Sequence, residues 1–398
     1  MKIGFITRKN HHVWGGDLGV VDKLARGLCE LGFEAVAAPT AFDLHDADLL
    51  VLTNSTVDQR TEKNAIDSLG KPYAVLGFHE DILAFYSAAT GMENYVLSCL
   101  GYGFPSDNGL DFSIEQLIEM PHIVHYYGST PKRSSFYNYK IMSEAAVCIA
   151  NSRSEAAVMQ RDCPPCKTAV VPVAPGLVTG YRGLPDESFL DWTGLSSKSY
   201  VLQVGRLELR KNQFSTILAM RNLEMPLVFI ATRAFNIKYE TACVEAALKW
   251  RKAPTIFVSQ NLQPFEQGSV KVLPYPGEER LPKEMLLSAY YHAGLHLHPA
   301  FHELPGATFL EAARLGTPTI ASSWCTITDY FFDAQAGHSN LDGRIVYTAP
   351  HHIQEMETLI PQMFGKSFAP LEDHPSITYS ELDSARDFAR ALVLLNDD

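Results

Sequence analysis

The chain has 398 residues, with 33 Lys and Arg against 45 Asp and Glu, a formal net charge of -12. At roughly 150 residues per domain this length predicts two or three domains, and a content of 46% hydrophobic and 20% charged residues excludes disorder over most of the chain. The acidic balance argues against a general nucleic-acid binder, whose phosphate contacts come from Lys and Arg, and no run of 18 apolar residues is present to span a membrane.

Lys2 to Thr7 reads as a buried strand, since its apolar stretch is too short for a signal-peptide core. Gly15-Gly16 follows it. Leu18, Val21, Leu24, Ala25 and Leu28 then recur at helical spacing over 17–31, and Gly32 stops the helix. Segments 35–39, 49–53, 73–78, 148–151 and 169–173 read as further strands. Their continuous apolar character implies a parallel sheet buried on both faces. The Tyr-, Phe-, Ser- and Gly-rich stretch 84–139 reads as a helix-and-loop elaboration of this first domain. It either shapes a binding site or is a plain surface insertion.

Segment 173–198, rich in Pro and Gly, reads as the crossing between two domains. The alternation then restarts, with strands at 200–204, 227–231, 255–258, 270–273, 294–298 and 318–321. Helices are expected at 284–293 and 308–315 and, last, at 380–395. The picture is α/β: two tandem doubly wound domains, 1–175 and 198–378, with ligands expected at strand carboxyl ends in the cleft between them.

Seven cysteines, an odd number, exclude a disulfide framework, and Cys163-Pro-Pro-Cys166 reads as two incidental thiols. A cytoplasmic protein is expected. Gly15-Gly16 is either a plain turn or a place where backbone approaches a phosphate at a helix start. It is not a G-x-G-x-x-G dinucleotide fingerprint. Gly205-Arg206 with Lys211-Asn212 joins a strand to a helix, and Arg plus Lys there suit a diphosphate. Asn212 is the expected N-cap. In the segment from His302-Glu303 through Gly306-Ala307-Thr308 to Glu311, two carboxylates flank a helix start whose amides suit a phosphate. His79, at a strand end, either orients a hydroxyl, acts as a base, or caps the next helix. His296, His298 and His302 lack a register for metal ligation and read as packing or polar-wall residues.

In order and spacing these residues resemble the retaining glycosyltransferases of family 4. Those proteins carry a Gly-Gly loop, a Gly-Arg…Lys-Asn turn, and two glutamates eight residues apart followed by Glu-Ala and Gly-Thr-Pro. Here these are Gly15-Gly16, Gly205-Arg206 with Lys211-Asn212, Glu303 and Glu311 with Ala312, and Gly316-Thr317-Pro318. The resemblance implies a GT-B fold of two facing Rossmann-like domains, with the last helix returning to the first. It implies that Arg206 and Lys211 hold the donor diphosphate, that Gly15 and Gly16 approach the phosphate side, and that Ala307 and Thr308 offer amides beside Gly306. Glu303 would contact the transferred sugar, Glu311 the ribose, and His79 the sugar and acceptor. It further implies no metal and no cofactor beyond the co-substrate, a nucleoside-diphosphate sugar, foremost of UDP or GDP. The expected activity is sugar transfer with retention, by front-face attack, to a hydroxyl or amine of a soluble small molecule or glycan, with no nucleic-acid partner. A non-catalytic GT-B binding subunit, a sugar-nucleotide epimerase and a phosphorylase are the alternatives. Two departures stand out: Leu304-Pro305-Gly306 where the family commonly has Gly-Phe-Gly, and Trp324-Cys325 where small residues are usual.

Overall fold

The computed structural model describes residues 1–8, 16–102, 113–130, 135–231, 236–275, 281–304, 306–330 and 341–392. It divides into two compact units. The first comprises Met1–Asp81, Lys132–Thr179 and Asp373–Asp398, the second Ile82–Pro131 and Gly180–Glu372.

The first unit is built on six parallel strands: β1 (Lys2–Ile6), β2 (Glu34–Ala38), β3 (Leu49–Thr53), β4 (Tyr73–Leu76), β5 (Cys148–Ala150) and β6 (Thr168–Val170), in the order β2-β1-β3-β4-β5-β6. Alternate residues of β3 serve opposite faces, as strand geometry requires. Leu50 and Leu52 pack with Ile66, Met142 and Met159, whereas Val51 joins Leu24, Leu28 and Phe388. Both faces are therefore covered, which is why these strands read as unbroken apolar runs. Helix Gly16–Glu30 is closed by Gly32 at φ +88°. Helix Glu381–Ala391, opened by a Ser380–Asp383 capping box, packs on it. A Cβ on Gly27 would come within 2.7 Å of Ala385 Cβ, so only glycine permits this approach. The rest of the expected 380–395 helix lies partly outside the described residues.

The second unit has eight strands: β7 (Val201–Val204), β8 (Leu227–Ala231), β9 (Thr255–Ser259), β10 (Phe265–Gln267), β11 (Val270–Leu273), β12 (Leu295–His298), β13 (Thr319–Ser322) and β14 (Ile345–Thr348). Their order is β10-β11-β9-β8-β7-β12-β13-β14, all parallel except β10 against β11. The short edge strands β10 and β14 carry too little periodicity to be read from sequence. Segment 173–198, expected to be a plain crossing, contains helix Ser188–Thr193.

The segment Ile82–Pro131, which the sequence attaches to the first domain, groups with the second unit. Its helix Ile82–Leu100 buries Phe85, Ala88, Met92 and Tyr95 in one core with Phe214, Tyr239 and Phe257. At its end Lys249 Nζ donates to Cys99 O at 2.6 Å, and Tyr102 donates its hydroxyl to Glu245 at 2.6 Å. All seven cysteines are free thiols. Among the described residues no helix is long and apolar enough to cross a membrane.

Candidate active site

In the second unit the carboxyl ends of β7 and β12 bring together the two segments that the sequence singles out. Strand β7 ends at Val204 and the chain turns at Gly205, φ +146°, in a region reserved for glycine. This turn lies 3.6–3.7 Å, measured from a notional Cβ, from His298 and Lys211. Gln203 Nε2 donates to Lys211 O at 2.8 Å and Gln213 Nε2 to Arg206 O at 2.9 Å, lashing the basic turn at both ends. Asn212 adopts a left-handed conformation, φ 58°, and caps helix Gln213–Ala219 by accepting from Ser215 N. Its amide donates to Pro299 O at 2.8 Å and Pro350 O at 2.6 Å, which ties the turn to the loop after β12.

Lys211 Nζ donates to Glu303 Oε1. His298 Nε2, at the end of β12, donates to the same oxygen at 2.8 Å. The carboxylate is only 4% exposed and His298 not at all. Burial, then Lys211, His296 and Arg210, push the His298 pKa well below the usual imidazole range, so the ring is neutral and its one proton sits on Nε2. Burial and then Arg210 also lower the Lys211 pKa, against the pull of Glu208. Glu208 is the counter-ion of the turn: Arg210 Nε donates to it at 2.8 Å and Arg206 NH2 at 3.3 Å. Burial would raise its pKa, but Arg210, Arg206 and Lys211 together outweigh that and hold it at about 2.

Helix Ala307–Arg314 begins beside this carboxylate. Its N-cap, Gly306, has φ +80°, and an added Cβ would meet the Phe309 ring at 2.6 Å and Glu303 Cβ at 3.4 Å. Among the described residues no side chain caps the helix start, and the first amides of a helix, here those of Ala307 and Thr308, have no intrahelical partners. Thr308 Oγ1 is buried without a hydrogen-bond partner among the described residues. Glu311 is buried one turn further on.

The structure thus unites Lys211, Glu303, Gly306, Ala307 and Thr308, with Arg206 held at the turn by Glu208 and Glu311 on the same helix. Gly16 and His79 belong to the first unit, and Gly15 lies outside the described residues. Gly16 is the exposed first residue of helix Gly16–Glu30, with nothing within 4 Å of a notional Cβ. His79 is 2% exposed. Its Nδ1 meets Ser55 Oγ at 2.8 Å and its Nε2 meets Asp162 Oδ2 at 3.0 Å, so in this arrangement neither ring nitrogen is left for an outside hydroxyl. Two non-glycine residues at adjacent strand ends, Asn54 and Phe78, have φ +69° and +51°. For Phe78 that is strained backbone, which tends to collect where ligands bind. His302 stacks on Phe85 with centroids 4.9 Å apart, and His296 meets Tyr290 edge-on at 5.6 Å. Trp324 packs between Phe301 and His351.

Sequence reasoning treats His298 as packing or polar wall; the structure makes it the second donor to Glu303. The available signal is its place at the carboxyl end of a central strand, five residues before that glutamate. Glu208 lies inside the basic motif and is missed as its counter-ion.

No protein-family model matches the chain, and no curated protein matches it in sequence. Solved structures do match. The chain is similar to sucrose-phosphate synthase from Thermosynechococcus elongatus at 13% identity, covering 100% of this chain and 95% of that one, with a TM-score of 0.61. It is similar to WaaG, a glycosyltransferase involved in lipopolysaccharide biosynthesis, at 13% identity, 99% and 100% coverage and a TM-score of 0.54. It is also similar to HepE of Anabaena in complex with UDP, at 13% identity, 99% and 97% coverage and a TM-score of 0.50. Whole-chain likeness to these structures, together with two parallel sheets that each form their own α/β unit, gives the chain the GT-B fold.

Proposed function

We propose that the chain is a retaining glycosyltransferase that moves a sugar from a nucleoside diphosphate, foremost UDP, to a hydroxyl or amine of a soluble acceptor. The observation that carries this reading is the buried Glu303 carboxylate, gripped by Lys211 and His298 beside an uncapped helix start. Such a helix start suits a phosphate, a buried lysine beside it suits the bridging or terminal oxygens, and a fixed carboxylate suits sugar hydroxyls. The fold agrees with that of a protein whose structure holds UDP.

In the proposed reaction the bond from the anomeric carbon to the diphosphate oxygen breaks, and the acceptor oxygen or nitrogen bonds to that carbon on the same face. The acceptor proton passes to a phosphate oxygen of the departing nucleotide. Arg206, Lys211 and the amides of Ala307 and Thr308 stabilise the charge that develops there, commonly the largest catalytic contribution. These cations supply the charge that a divalent metal supplies in other transferases, so the reaction is proposed to be metal-independent. Glu303 orients the sugar and Glu311 the ribose. Gly15 and Gly16 are assigned to the phosphate side. His79, held by Ser55 and Asp162, is a positioning residue for the strand end that receives the acceptor. The first unit, read from sequence as 1–175 with 380–398, is assigned to the acceptor, and the second, read as 198–378 and joined in the structure by Ile82–Pro131, to the donor, with the cytoplasm as the working compartment.

The test is a thermal-shift panel of UDP, GDP, ADP, CDP and dTDP on the native chain and on Lys211→Ala. One nucleotide is expected to raise the melting temperature by roughly a few degrees at a hundred times its dissociation constant, and Lys211→Ala is expected to abolish the shift and the transfer. No shift at millimolar nucleotide, or near-native turnover in Lys211→Ala, overturns the proposal. Binding without turnover on any donor and acceptor favours the non-catalytic subunit instead.

A further inference from the structure

A second set of chemically able side chains lies in the second unit and takes no part in the reading above. His122 and His125 lie on the 3-10 turn Pro121–His125, and His351 and His352 lie between β14 and helix Ile353–Met363. Ring centroids are 4.7 Å apart for His351–His352 and 5.5 Å for His122–His351, His122–His352 and His125–His351. One nitrogen from each of His122, His351 and His352 falls within 4.8 Å of the other two.

His351 is 3% exposed, yet neither of its ring nitrogens has a hydrogen-bond partner among the described residues. Nε2 of His352 is likewise buried and unpartnered. Three orphaned imidazole nitrogens in one place are costly unless something fills the gap between them. On its other side His352 Nδ1 stands 3.7 Å from Glu355 Oε2, an oxygen that also accepts from Thr348 Oγ1 at 2.5 Å. A carboxylate behind a ligating imidazole is the usual outer partner in metal sites, where it fixes the ring and raises its basicity.

We propose that His122, His351 and His352 form a site for one divalent transition cation of the zinc class, with Glu355 as the carboxylate behind His352. Three imidazoles suit zinc, cobalt, nickel or copper, whereas magnesium and calcium need oxygen donors. Zinc–nitrogen bonds of about 2.0–2.1 Å in a tetrahedron place the nitrogens about 3.3 Å apart. The observed spread, within 4.8 Å, has to close to that value, and exposed His122 and half-buried His352 are the side chains with room to turn. His125 or a water takes the fourth position. The cation ties the turn 121–125 to the loop after β14, whose Pro350 carbonyl is also held by Asn212. It therefore braces the segment Ile82–Pro131 against the strands of its own unit.

The experiment is a cobalt(II) titration of the full metal-stripped chain, followed by visible absorption, with zinc added afterwards as the displacing ion. One cobalt per chain is expected, with ligand-field bands and no thiolate charge-transfer band, since the buried thiols at Cys148, Cys163 and Cys166 are not in the site. His122→Gln, at an exposed position, and His352→Gln are each expected to weaken binding by at least ~100-fold, because losing even an outer partner costs 10–100-fold. His45→Gln, at an exposed residue of the first unit, is expected to change nothing. Affinity is expected to fall as pH falls, because protons compete with the metal for imidazole nitrogens. The proposal is overturned if the native chain binds no stoichiometric cobalt, if the spectrum shows thiolate ligation, or if His122→Gln binds as the native chain does with an unchanged melting curve. Nucleotide binding plays no part in the readout, so this proposal and the glycosyltransferase reading fail separately.

Discussion

The contact between Lys211 and Glu303 is open to a quantitative test. Lys211 is 9% exposed and Glu303 4%, so neither charge is screened as a surface pair is. Lys211→Met takes the ammonium away from the buried carboxylate, and removing one partner of a buried pair typically costs about 3–5 kcal/mol. Glu303→Gln keeps an oxygen to accept from His298 but leaves a buried ammonium facing Arg210, and about 3 kcal/mol is expected there too. In the double variant neither charge is stranded. Its destabilisation is expected to fall short of the sum by roughly 2–3 kcal/mol, the upper range for residues in contact.

Tryptophan fluorescence during urea unfolding is the assay, because Trp192, Trp250 and Trp324 all belong to the second unit, the remaining Trp14 lying outside the described residues. In urea each single variant is expected to lose that free energy of unfolding, and in a thermal scan read by the same fluorescence the loss corresponds to roughly 6–20 °C for Lys211→Met and roughly 6–12 °C for Glu303→Gln, at 2–4 °C per kcal/mol for a unit of this size. Strict additivity, or single-variant losses below about 1 kcal/mol, refutes the idea that this is a dry, coupled ion pair.

Two further outcomes follow from buried polar groups. Glu155 accepts from His79 N at 2.7 Å and Asn151 N at 2.5 Å, yet burial dominates and raises its pKa from 4.5 to about 7. The folded state therefore binds this proton more tightly than the unfolded chain. The associated stability is fully present below about pH 4.5 and is lost as pH rises to about 7, by up to about 3 kcal/mol. The protection factors of β4 and β5, that is, exchange corrected for its intrinsic pH dependence, are expected to fall over that range in the native chain and to stay flat in Glu155→Gln; equal pH dependence in both sinks the assignment. Asn212→Ala removes an N-cap and two buried carbonyl partners, a loss of about 3 kcal/mol. Asn212→Gly, free of the left-handed strain, is expected to lose about 1 kcal/mol less in the same urea assay.

What the sequence reveals of this molecule depends on how local the cause is. The central strands are legible because a parallel sheet covered on both faces demands unbroken apolar runs, and β3, β8 and β11 begin as read. Helix ends are legible where glycine must adopt positive φ, as at Gly32. The edge strands β10 and β14 are not, since three or four residues on an edge carry no period. Neither is the allegiance of helix Ile82–Leu100. Its sequence says only that it is apolar, and which core receives Phe85 and Tyr95 is decided by Phe214, Tyr239 and Phe257, more than a hundred residues away. The same limit hides His122 beside His351.

At the candidate site the residue types are visible and their pairing is not. A basic turn and a glutamate two segments later announce charge, but no spacing rule states that Lys211 and His298 share one oxygen of Glu303. The pairing has a chemical logic on the glycosyltransferase reading. Without a donor, a buried carboxylate and a buried ammonium must neutralise one another, because water is largely excluded from both. When a diphosphate competes for Lys211, Glu303 loses that donor and can accept from another in its place. The hydroxyls of a sugar are such donors. On that reading a nucleotide sugar answers both halves of the pair, whereas free nucleotide draws the lysine away and offers the carboxylate no replacement for it. Arg206 and Arg210, offset in part by Glu208, keep the turn cationic throughout the exchange. On the proposed reading, a preference for a donor over its own leaving group comes from the sugar hydroxyls that Glu303 can accept from.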